Sequence, residues 1–367
     1  MSIEMTSIRR HEVHCLVRPL FLAALLTANW AVAALPADSA GMETQQVLFT
    51  SLRDGSMQIY SMRGDGGDEQ RLTRTNSSEV HPAWSPDGQK VAYVSYRSGH
   101  GDIYVMNADG SGQTRLTELP GLEQQPRWSP DGGRIAFMAD HQGPIGIFVM
   151  AADGSGLRAL TPADMDAADP AWSPDGKSIA FIRAVGKDAR IMIVDVDSGA
   201  IRPLADVGKN QRNPVWSPDG KQVMFLVPGG RTEGVNIGLA EVASGKVIAL
   251  TNNAYLNSQA TFSPDGNRIV YLSNADSQGG AMNLHVINRD GSDARNLTRS
   301  EVQDQAPAWS ADGSHIFFMS FRDWPGQIYR IKPDGSGRQR LTASQAQENN
   351  PVARPNARQQ ASVGQTQ

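Results

Sequence analysis

The sequence predicts an all-β fold, built as a closed ring of repeated four-stranded antiparallel sheets. Three observations support this prediction. A motif of the form Trp-Ser-Pro-Asp-Gly returns at a nearly constant spacing, the segments that follow it are apolar on both faces, and the two ends of the repeated region are incomplete in complementary ways. Repeats of this length are typical of architectures in which each unit packs against its neighbours.

The repeated motif starts with an aromatic residue, and successive copies of this residue are 44, 44, 44, 46 and 47 residues apart. In the turn that follows, Pro fixes φ at the first corner, Asp suits the next position, and Gly accepts a positive φ. We therefore predict that the motif joins the first and second strands of each unit and that its Asp stabilises the turn. The aromatic residues, which we expect to be packing residues, are Trp84, Trp128, Trp172, Trp216, Phe262 and Trp309.

Two apolar segments follow each motif and are predicted to be the second and third strands, as in VAYVS (91–95) and DIYVM (102–106). The second-strand segments do not alternate between apolar and polar residues, so both of their faces must be covered. This happens when each sheet is sandwiched between neighbours around a central axis. A Gly-rich turn such as NADGSG (107–112) then leads into a short fourth strand.

The Gly-rich turns have some likeness to calcium-binding loops, but they lack the alternating carboxylates and the closing Glu of such loops. We interpret them as hairpin turns and keep calcium as the alternative. No other cofactor is expected.

The two ends of the repeated region complete each other. NPVARP (350–355) has the pattern of a first strand with no later strands, and Ala353 lies 44 residues after Trp309. Second, third and fourth strands without a first are found in VLFTS (47–51), QIYSM (58–62) and EQRLT (69–73). Pairing these segments completes a seventh unit and removes exposed strand edges. The sequence thus predicts a seven-bladed β-propeller over residues 47–355, closed by pairing the N-terminal strands with a C-terminal strand.

The flanking segments are predicted to lie outside the ring. Arg9, Arg10 and Arg18 precede or flank an apolar run at 20–34 with an Ala-x-Ala site at its end, the pattern of a secretory signal peptide over residues 1–34. A membrane span needs about 20 apolar residues, so we expect no stable span after cleavage and a periplasmic or secreted protein. Residues 35–46 are a predicted linker and 356–367 a predicted disordered tail.

Composition and motifs argue against several functional classes. The net charge of −4 gives no basic face for nucleic acid. The sequence has no G-x-S-x-G or H-E-x-x-H motif, so it does not support a serine peptidase or a zinc protease. A metal site in the channel would need imidazoles from equivalent positions of several blades, and only His100 and His141 share a position. We predict no catalytic or metal-binding residue, and we expect a monomer.

The residues just before each first strand are the candidate binding site, because that strand is expected to lie nearest the axis and these residues would then line the channel mouth. They are rich in carboxylates and amides, and the candidates are Glu79, His81, Glu123, Gln125, Asp169, Arg212, Asn213, Gln259, Asp304, Glu348 and Asn350. Loops between second and third strands add to the same face Arg53, Arg97, His100, His141, Arg231, Arg322, Asp323 and Trp324. Such a mouth suits a peptide, a carbohydrate or a cation. The alternative is that the mouth is polar only because it is hydrated.

The repeat PAWSPDGQKVAYVSYRSGHGDIYVMNADGSGQTRLT (82–117) resembles the TolB-type propeller repeat, and the resemblance extends from about residue 47 to 355. It implies a periplasmic propeller that binds proteins or peptides of the cell envelope without catalysis, as in a Tol–Pal-like system. The family's namesake has an α/β domain before a six-bladed ring, a difference from the seven blades predicted here. Similar repeats occur in sugar lyases with a metal in the channel. A carbohydrate-active lyase or hydrolase with its site in the channel is therefore the alternative function.

Overall fold

The computed structural model describes residues 42, 44–140, 143–186, 188–206, 210–229 and 234–356. Within these ranges the chain consists of strands, turns and connecting segments, and no helix there has the length and apolar character needed to cross a membrane. The predicted signal peptide, the tail beyond residue 356, and the rim residues His141 and Arg231 lie outside the described residues. The predictions about them stay predictions.

The strands follow one another along the chain in a regular order. They are β1 (Gln46–Ser51), β2 (Gln58–Arg63), β3 (Gln70–Arg71), β4 (Glu79–Trp84), β5 (Lys90–Ser95), β6 (Asp102–Asn107), β7 (Thr114–Arg115), β8 (Glu123–Trp128), β9 (Arg134–Asp140), β10 (Ile145–Ala151), β11 (Arg158–Ala159), β12 (Asp166–Trp172), β13 (Ser178–Val185), β14 (Asp188–Asp195), β15 (Ile201–Pro203), β16 (Arg212–Trp216), β17 (Gln222–Pro228), β18 (Val235–Glu241), β19 (Val247–Ala249), β20 (Asn257–Phe262), β21 (Arg268–Ser273), β22 (Asn283–Asn288), β23 (Arg295–Asn296), β24 (Asp304–Trp309), β25 (Ile316–Ser320), β26 (Gln327–Ile331), β27 (Gln339–Arg340) and β28 (Glu348–Ala353).

These strands form seven four-stranded antiparallel sheets, which are the blades of a propeller. Blade 1 has the order β28-β1-β2-β3, and blades 2 to 7 each contain four consecutive strands, from β4–β7 to β24–β27. In blade 1, Val47 pairs with Ala353 and Leu48 with Val352. The prediction of seven blades closed by the two chain ends is therefore confirmed.

The core lies between neighbouring blades rather than within any one of them. Between blades 1 and 2, for example, Leu48 and Ile59 pack in one cluster with Trp84 and Tyr93. The second strands are buried on both faces, as the five consecutive buried residues that end β5 show. Burying a large apolar side chain contributes about 1.5–3 kcal/mol, so each blade depends on both neighbours for its stability.

The Ser-Pro-Asp-Gly segments are the predicted turns between first and second strands. In blade 4, Asp175 accepts hydrogen bonds from the Ser173 hydroxyl (2.6 Å) and from the Lys177 backbone amide (3.1 Å). The Ser173 hydroxyl in turn accepts the Ser178 amide at 2.9 Å. The same amide bond to the turn carboxylate recurs at Asp87, Asp131, Asp219, Asp265 and Asp312. The turn-stabilising role of these aspartates is confirmed.

In five of the seven blades, the aromatic residue of the motif joins the blade to the preceding blade of the ring. Five indole N–H groups donate to a backbone carbonyl of the preceding blade's innermost strand. The pairs are Trp84 to Val352 (3.2 Å), Trp128 to Ala83 (3.1 Å), Trp172 to Arg127 (3.0 Å), Trp216 to Ala171 (3.0 Å) and Trp309 to Thr261 (3.3 Å). Blade 6 has Phe262 at this position, which has no N–H to donate. The predicted packing role is confirmed, with a directional hydrogen bond added to it.

The last residues of the predicted linker belong to the propeller. Gln46 is the first residue of β1, and the Met42 side chain, 1% exposed, packs in the cluster between blades 1 and 7. The Gln45 side chain donates to the Arg354 carbonyl at 2.8 Å and accepts the Ala311 amide at 3.1 Å. These contacts tie the segment to the C-terminal strand and to blade 7, and β1 begins one residue before the predicted start at residue 47.

Candidate binding site in the central channel

Every innermost strand contains a β-bulge three residues before its aromatic position. In blade 2 the pairing of β4 with β5 shifts between Val80 and Ala83, and the other six blades show the same shift. The bulge residue has a φ between 48° and 53° in all seven blades, a region that non-glycine residues seldom adopt. The bulge residues are His81, Gln125, Asp169, Asn213, Gln259, Ala306 and Asn350.

The structure places these bulge residues inside the innermost strands, whereas the sequence suggested that they precede the strands. Asn213, Gln259 and Asn350 are exposed, while His81, Gln125 and Asp169 are partly buried. Arg212, which directly precedes Asn213, is also exposed. Seven of the candidate residues are therefore available to a ligand or partner.

Four other candidates are buried and cannot touch a partner directly. Glu79, Glu123, Asp304 and Glu348 begin their innermost strands and are 0%, 0%, 1% and 0% exposed. Each is held by side chains of its own blade or of the segment leading into it. Glu348, for example, accepts hydrogen bonds from Ser51 (3.2 Å) and Arg53 (2.7 Å). These four side chains therefore do not lie at an open channel mouth as predicted, because in their blades the position five residues before the aromatic position is buried.

The four buried carboxyl groups share an electrostatic property. Burial raises the pKa of Glu79, Asp304 and Glu348, and it raises the pKa of Glu123 to about 7. Neighbouring hydroxyl groups act in the opposite direction, such as that of Thr117, which donates to Glu123 at 2.9 Å. One oxygen of each carboxyl is buried with no hydrogen-bond partner. These groups therefore favour the protonated state more than an exposed carboxylate does.

One face of the ring is formed by the loops before the innermost strands and the loops between second and third strands. The pairing of Ser51, at the end of β1, with Glu348, at the start of β28, shows that both kinds of loop lie on the same side. We call this side the loop face. It carries six exposed large hydrophobic residues: Leu52, Ile145, Val185, Tyr255, Leu256 and Trp324. Of the exposed large hydrophobics described, only Leu157 and Ile248 lie elsewhere.

The predicted rim residues have different environments on this face. Arg53 forms an ion pair with Glu348 (2.7 Å), and Arg97 forms one with Glu79 (3.4 Å). These two arginines therefore bind the buried carboxylates of their own blades. Trp324 is 79% exposed and packs against Phe321, with 5.9 Å between ring centroids. The nearby rim residues Arg322 and Asp323 are exposed and partly buried, respectively.

The histidines do not form a described metal centre. His100 lies 3.6 Å from the Asp102 carboxylate. Within the described ranges, no three His, Cys, Asp or Glu side chains are grouped so that they could hold a metal ion. The Gly-rich turns use their carboxylates locally, as where Asp109 accepts the Ser111 amide at 2.9 Å. The calcium alternative stays an untested prediction.

A cavity of about 490 Å³ lies in the central channel. Its lining comes from the innermost strands of blades 3, 4, 5 and 6 and from Pro174 in the turn after β12, which places it along one side of the central channel. Three of its polar wall residues were predicted site residues, namely Gln125, Asp169 and Asn213. The wall also contains Arg127 and the apolar residues Pro170, Ala171, Trp172, Pro174, Pro214, Val215 and Trp216.

Arg127 was missed at the sequence level because it lies inside the repeated motif, at the position just before the aromatic residue. The sequence does hold a signal for it. The equivalent residues of the other blades are all small and uncharged: Ala83, Ala171, Val215, Thr261, Ala308 and Val352. A single charged residue at a position where every other repeat is uncharged indicates a local role that the fold does not require.

Fold and site together define the protein as a closed seven-bladed propeller with a cavity in its central channel. The family model of the TolB beta propeller domain matches residues 75–235 and 230–367. The chain therefore belongs to the TolB beta propeller domain family, as the repeat predicted.

Individual relatives match over short segments. The Tol-Pal system protein TolB of Desulfosudis oleivorans is 45% identical over 49 residues, which cover 13% of this chain and 11% of that protein. The curated relatives are matched over only 10% to 27% of their own length. Their activities and partners are therefore not transferred to this chain by the matches.

Solved structures share the fold. TolB from Acinetobacter baumannii superposes with a TM-score of 0.57 at 20% identity, covering 86% of this chain and 68% of that one. An oligogalacturonate lyase in complex with manganese gives a TM-score of 0.59 at 16% identity, with 80% and 84% covered. At these identities the likeness concerns the fold alone, and the structures that share it include both a TolB and a lyase.

Proposed function

We propose that the protein is a non-catalytic periplasmic or exported scaffold whose loop face binds a protein or peptide partner of the cell envelope. The observation that carries this proposal is the distribution of exposed apolar side chains. Six of the eight described exposed large hydrophobics lie on the loop face, although that face is only one of several surfaces of the ring. Contiguous exposed apolar surface marks protein interaction sites, and we take the concentration of these residues on one face as support for such a site.

The centre of the same face is polar, which fits a partner that inserts a polar segment into the channel mouth. Arg212, Asn213, Gln259 and Asn350 are exposed there, and they supply one cation and three amides for hydrogen bonds to a peptide backbone. Membership in the TolB propeller family supports a partner of the Tol–Pal-like class.

The test compares two matched double variants in affinity capture from a periplasmic extract of the source organism. Leu256→Ser with Trp324→Ser removes two apolar side chains from the loop face. We expect capture of the main partner to fall at least tenfold, because aromatic anchors dominate protein interfaces. Partners are identified and quantified by mass spectrometry.

The control is Leu157→Ser with Ile248→Ser, which removes two exposed apolar side chains from other surfaces. It should leave capture unchanged. Equal capture by both double variants, or capture of nothing by the unaltered protein, would refute the loop-face scaffold.

The alternative function is a carbohydrate-active enzyme with its site in the channel, and the likeness to the lyase fold is its support. Metal analysis of the purified protein separates the two. A transition metal at one equivalent per chain, together with cleavage of a polysaccharide, would favour the enzyme over the scaffold.

A further inference from the structure

Arg127 is the cation in the wall of the channel cavity, and its charge is not neutralised there. Its side chain is exposed to the channel. Among the described residues, its guanidinium has no hydrogen bond and no ion pair. Enclosure by the channel wall lowers the pKa of Arg127, and the negative charge of Asp169 only partly offsets this effect. An enclosed guanidinium with five free donors is a site for an anion.

The groups around Arg127 also lack partners. Burial, and secondly the positive charge of Arg127, lower the pKa of His81, and the Nδ1 atom of His81 is buried without a hydrogen-bond partner. The Asp169 carboxylate lines the same cavity as Arg127 and forms no described ion pair with it. The channel wall thus presents a positive and a negative group that are close enough to interact but are not bonded to each other.

The charge pattern selects among ligands. A guanidinium fork matches a carboxylate bidentately. A phosphate would bring two negative charges to a wall with one cation and a nearby carboxylate, which is less favourable. A ligand that carries both a carboxylate and an ammonium group complements Arg127 and Asp169 at once. The side-chain amides of Gln125 and Asn213 in the same wall can bond the ligand's remaining polar atoms.

We propose that the central channel binds a small zwitterionic ligand of the α-amino acid class, whose carboxylate pairs with Arg127 and whose ammonium group faces Asp169. A free amino acid and a short peptide both carry a carboxylate and an ammonium group, so both fit this wall. The cavity of about 490 Å³ lies within the range of small-molecule sites. The site shares Asn213 with the polar centre of the loop face, but Arg127 and Asp169 are used only here, and the proposal does not depend on the scaffold function.

The test is equilibrium dialysis of the full chain against defined probes, with retained molecules quantified by mass spectrometry. One arm uses the twenty free amino acids, and a second uses a degenerate dipeptide library. Each arm is repeated with the C-terminal amides and with the N-acetylated forms. We expect at least one free amino acid or dipeptide to be retained at least tenfold more than its amide and several-fold more than its acetylated form. The arm that shows retention identifies the source.

Substitution of Arg127 makes the result specific to the site. Arg127→Ala should abolish the preference for free carboxylates, and Arg127→Lys should keep part of it. Three other blades carry Ala at this position, so Arg127→Ala should keep the fold, which a thermal melt checks. Arg295→Ala is the matched control, because Arg295 lies on an outermost strand with its side chain 53% exposed.

Three outcomes would overturn the proposal: no retention of any probe, equal retention of free and amidated probes, or retention that Arg127→Ala leaves unchanged. The loop-face double variant should retain the ligand, and Arg127→Ala should still capture a protein partner. The failure of one proposal is thus distinguishable from the failure of the other.

Discussion

Glu123 shows what burial does to a single side chain in this ring. One of its oxygens accepts a hydrogen bond from Thr117, and the other is buried with no partner. Burial raises the pKa of Glu123 to about 7 from the ordinary 4.5. Between pH 4.5 and 7 the carboxyl therefore ionises in the unfolded chain while the folded chain still holds the proton. The native state loses free energy of unfolding as the pH rises through this window.

We predict that Glu123→Gln makes stability less dependent on pH. The difference in free energy of unfolding between pH 5 and pH 8 should shrink by on the order of 1–3 kcal/mol, since one unit of pKa shift corresponds to about 1.4 kcal/mol. Urea unfolding at the two pH values measures it. Glu118→Gln is the control, because the Glu118 side chain is 80% exposed. An equal effect of both substitutions would contradict the buried, proton-holding carboxyl.

At the residue scale, the sequence predicted the residue types of the candidate site better than it predicted which of those residues are buried. The polar candidates belong to the innermost strands, but Glu79 and Glu348 are buried and bonded to side chains of their own blades. Composition alone does not reveal this burial. A carboxyl beneath a loop and a carboxyl on it have the same sequence neighbours. Arg127 could have been found by comparing repeats, since a departure from the repeat is more informative than the residue type.

The innermost strand is the element that most distinguishes this ring from a simple stack of sheets. Its bulge recurs in seven blades with a positive φ, yet the bulge residues are of five types: two Asn, two Gln, one His, one Asp and one Ala. The Ser-Pro-Asp-Gly turns were predictable because turn chemistry demands those residues. The bulge was not, because it is imposed by the geometry of strands that converge on an axis and is tolerated by whichever residue lies there.

We predict that Ala306→Gly stabilises the protein. Ala306 has a φ of 50° and a methyl group as its side chain, so Gly removes backbone strain and little contact area. The free energy of unfolding should rise by about 0.5–1 kcal/mol, the strain relieved less the added chain entropy. The control is Ala308→Gly in the same strand, outside the bulge. It should lower the free energy by about 0.5–1 kcal/mol. Chemical denaturation measures both, and loss of stability in both variants would contradict a strained bulge.

The whole molecule is closed by β28, which joins the last described residues of the ring to the first. The repeat spacing and the complementary ends were sufficient to predict this closure. The N-terminal unit lacks a first strand, and a lone first strand lies one repeat period after the last aromatic residue, so pairing the two completes a blade. The channel cavity, in contrast, is lined by blades 3 to 6, which are consecutive in the chain and meet without the closing strand.

We predict that truncation after Gln347, which removes β28, destroys cooperative folding. Blade 1 would lose its innermost strand, exposing the edge of β1 and the clusters that it shares with blades 2 and 7. Native stability is only about 5–15 kcal/mol, so the truncated chain should aggregate or melt without a sharp transition in circular dichroism. Truncation after Asn356 is the control and should melt like the full chain. A sharp, unshifted melt of the shorter chain would disprove closure by this strand.

The five indole hydrogen bonds all run in one rotational sense, from each blade to its predecessor. A wheel built this way has the same connector at five of its seven joints, and the connector recognises only a main-chain oxygen, never a particular side chain. An extra copy of the repeat inserted in register would therefore meet both flanking sectors through contacts that already exist. The number of sectors in such a wheel can therefore change by duplication of a repeat, provided that the closing strand still pairs with the first strand of the chain.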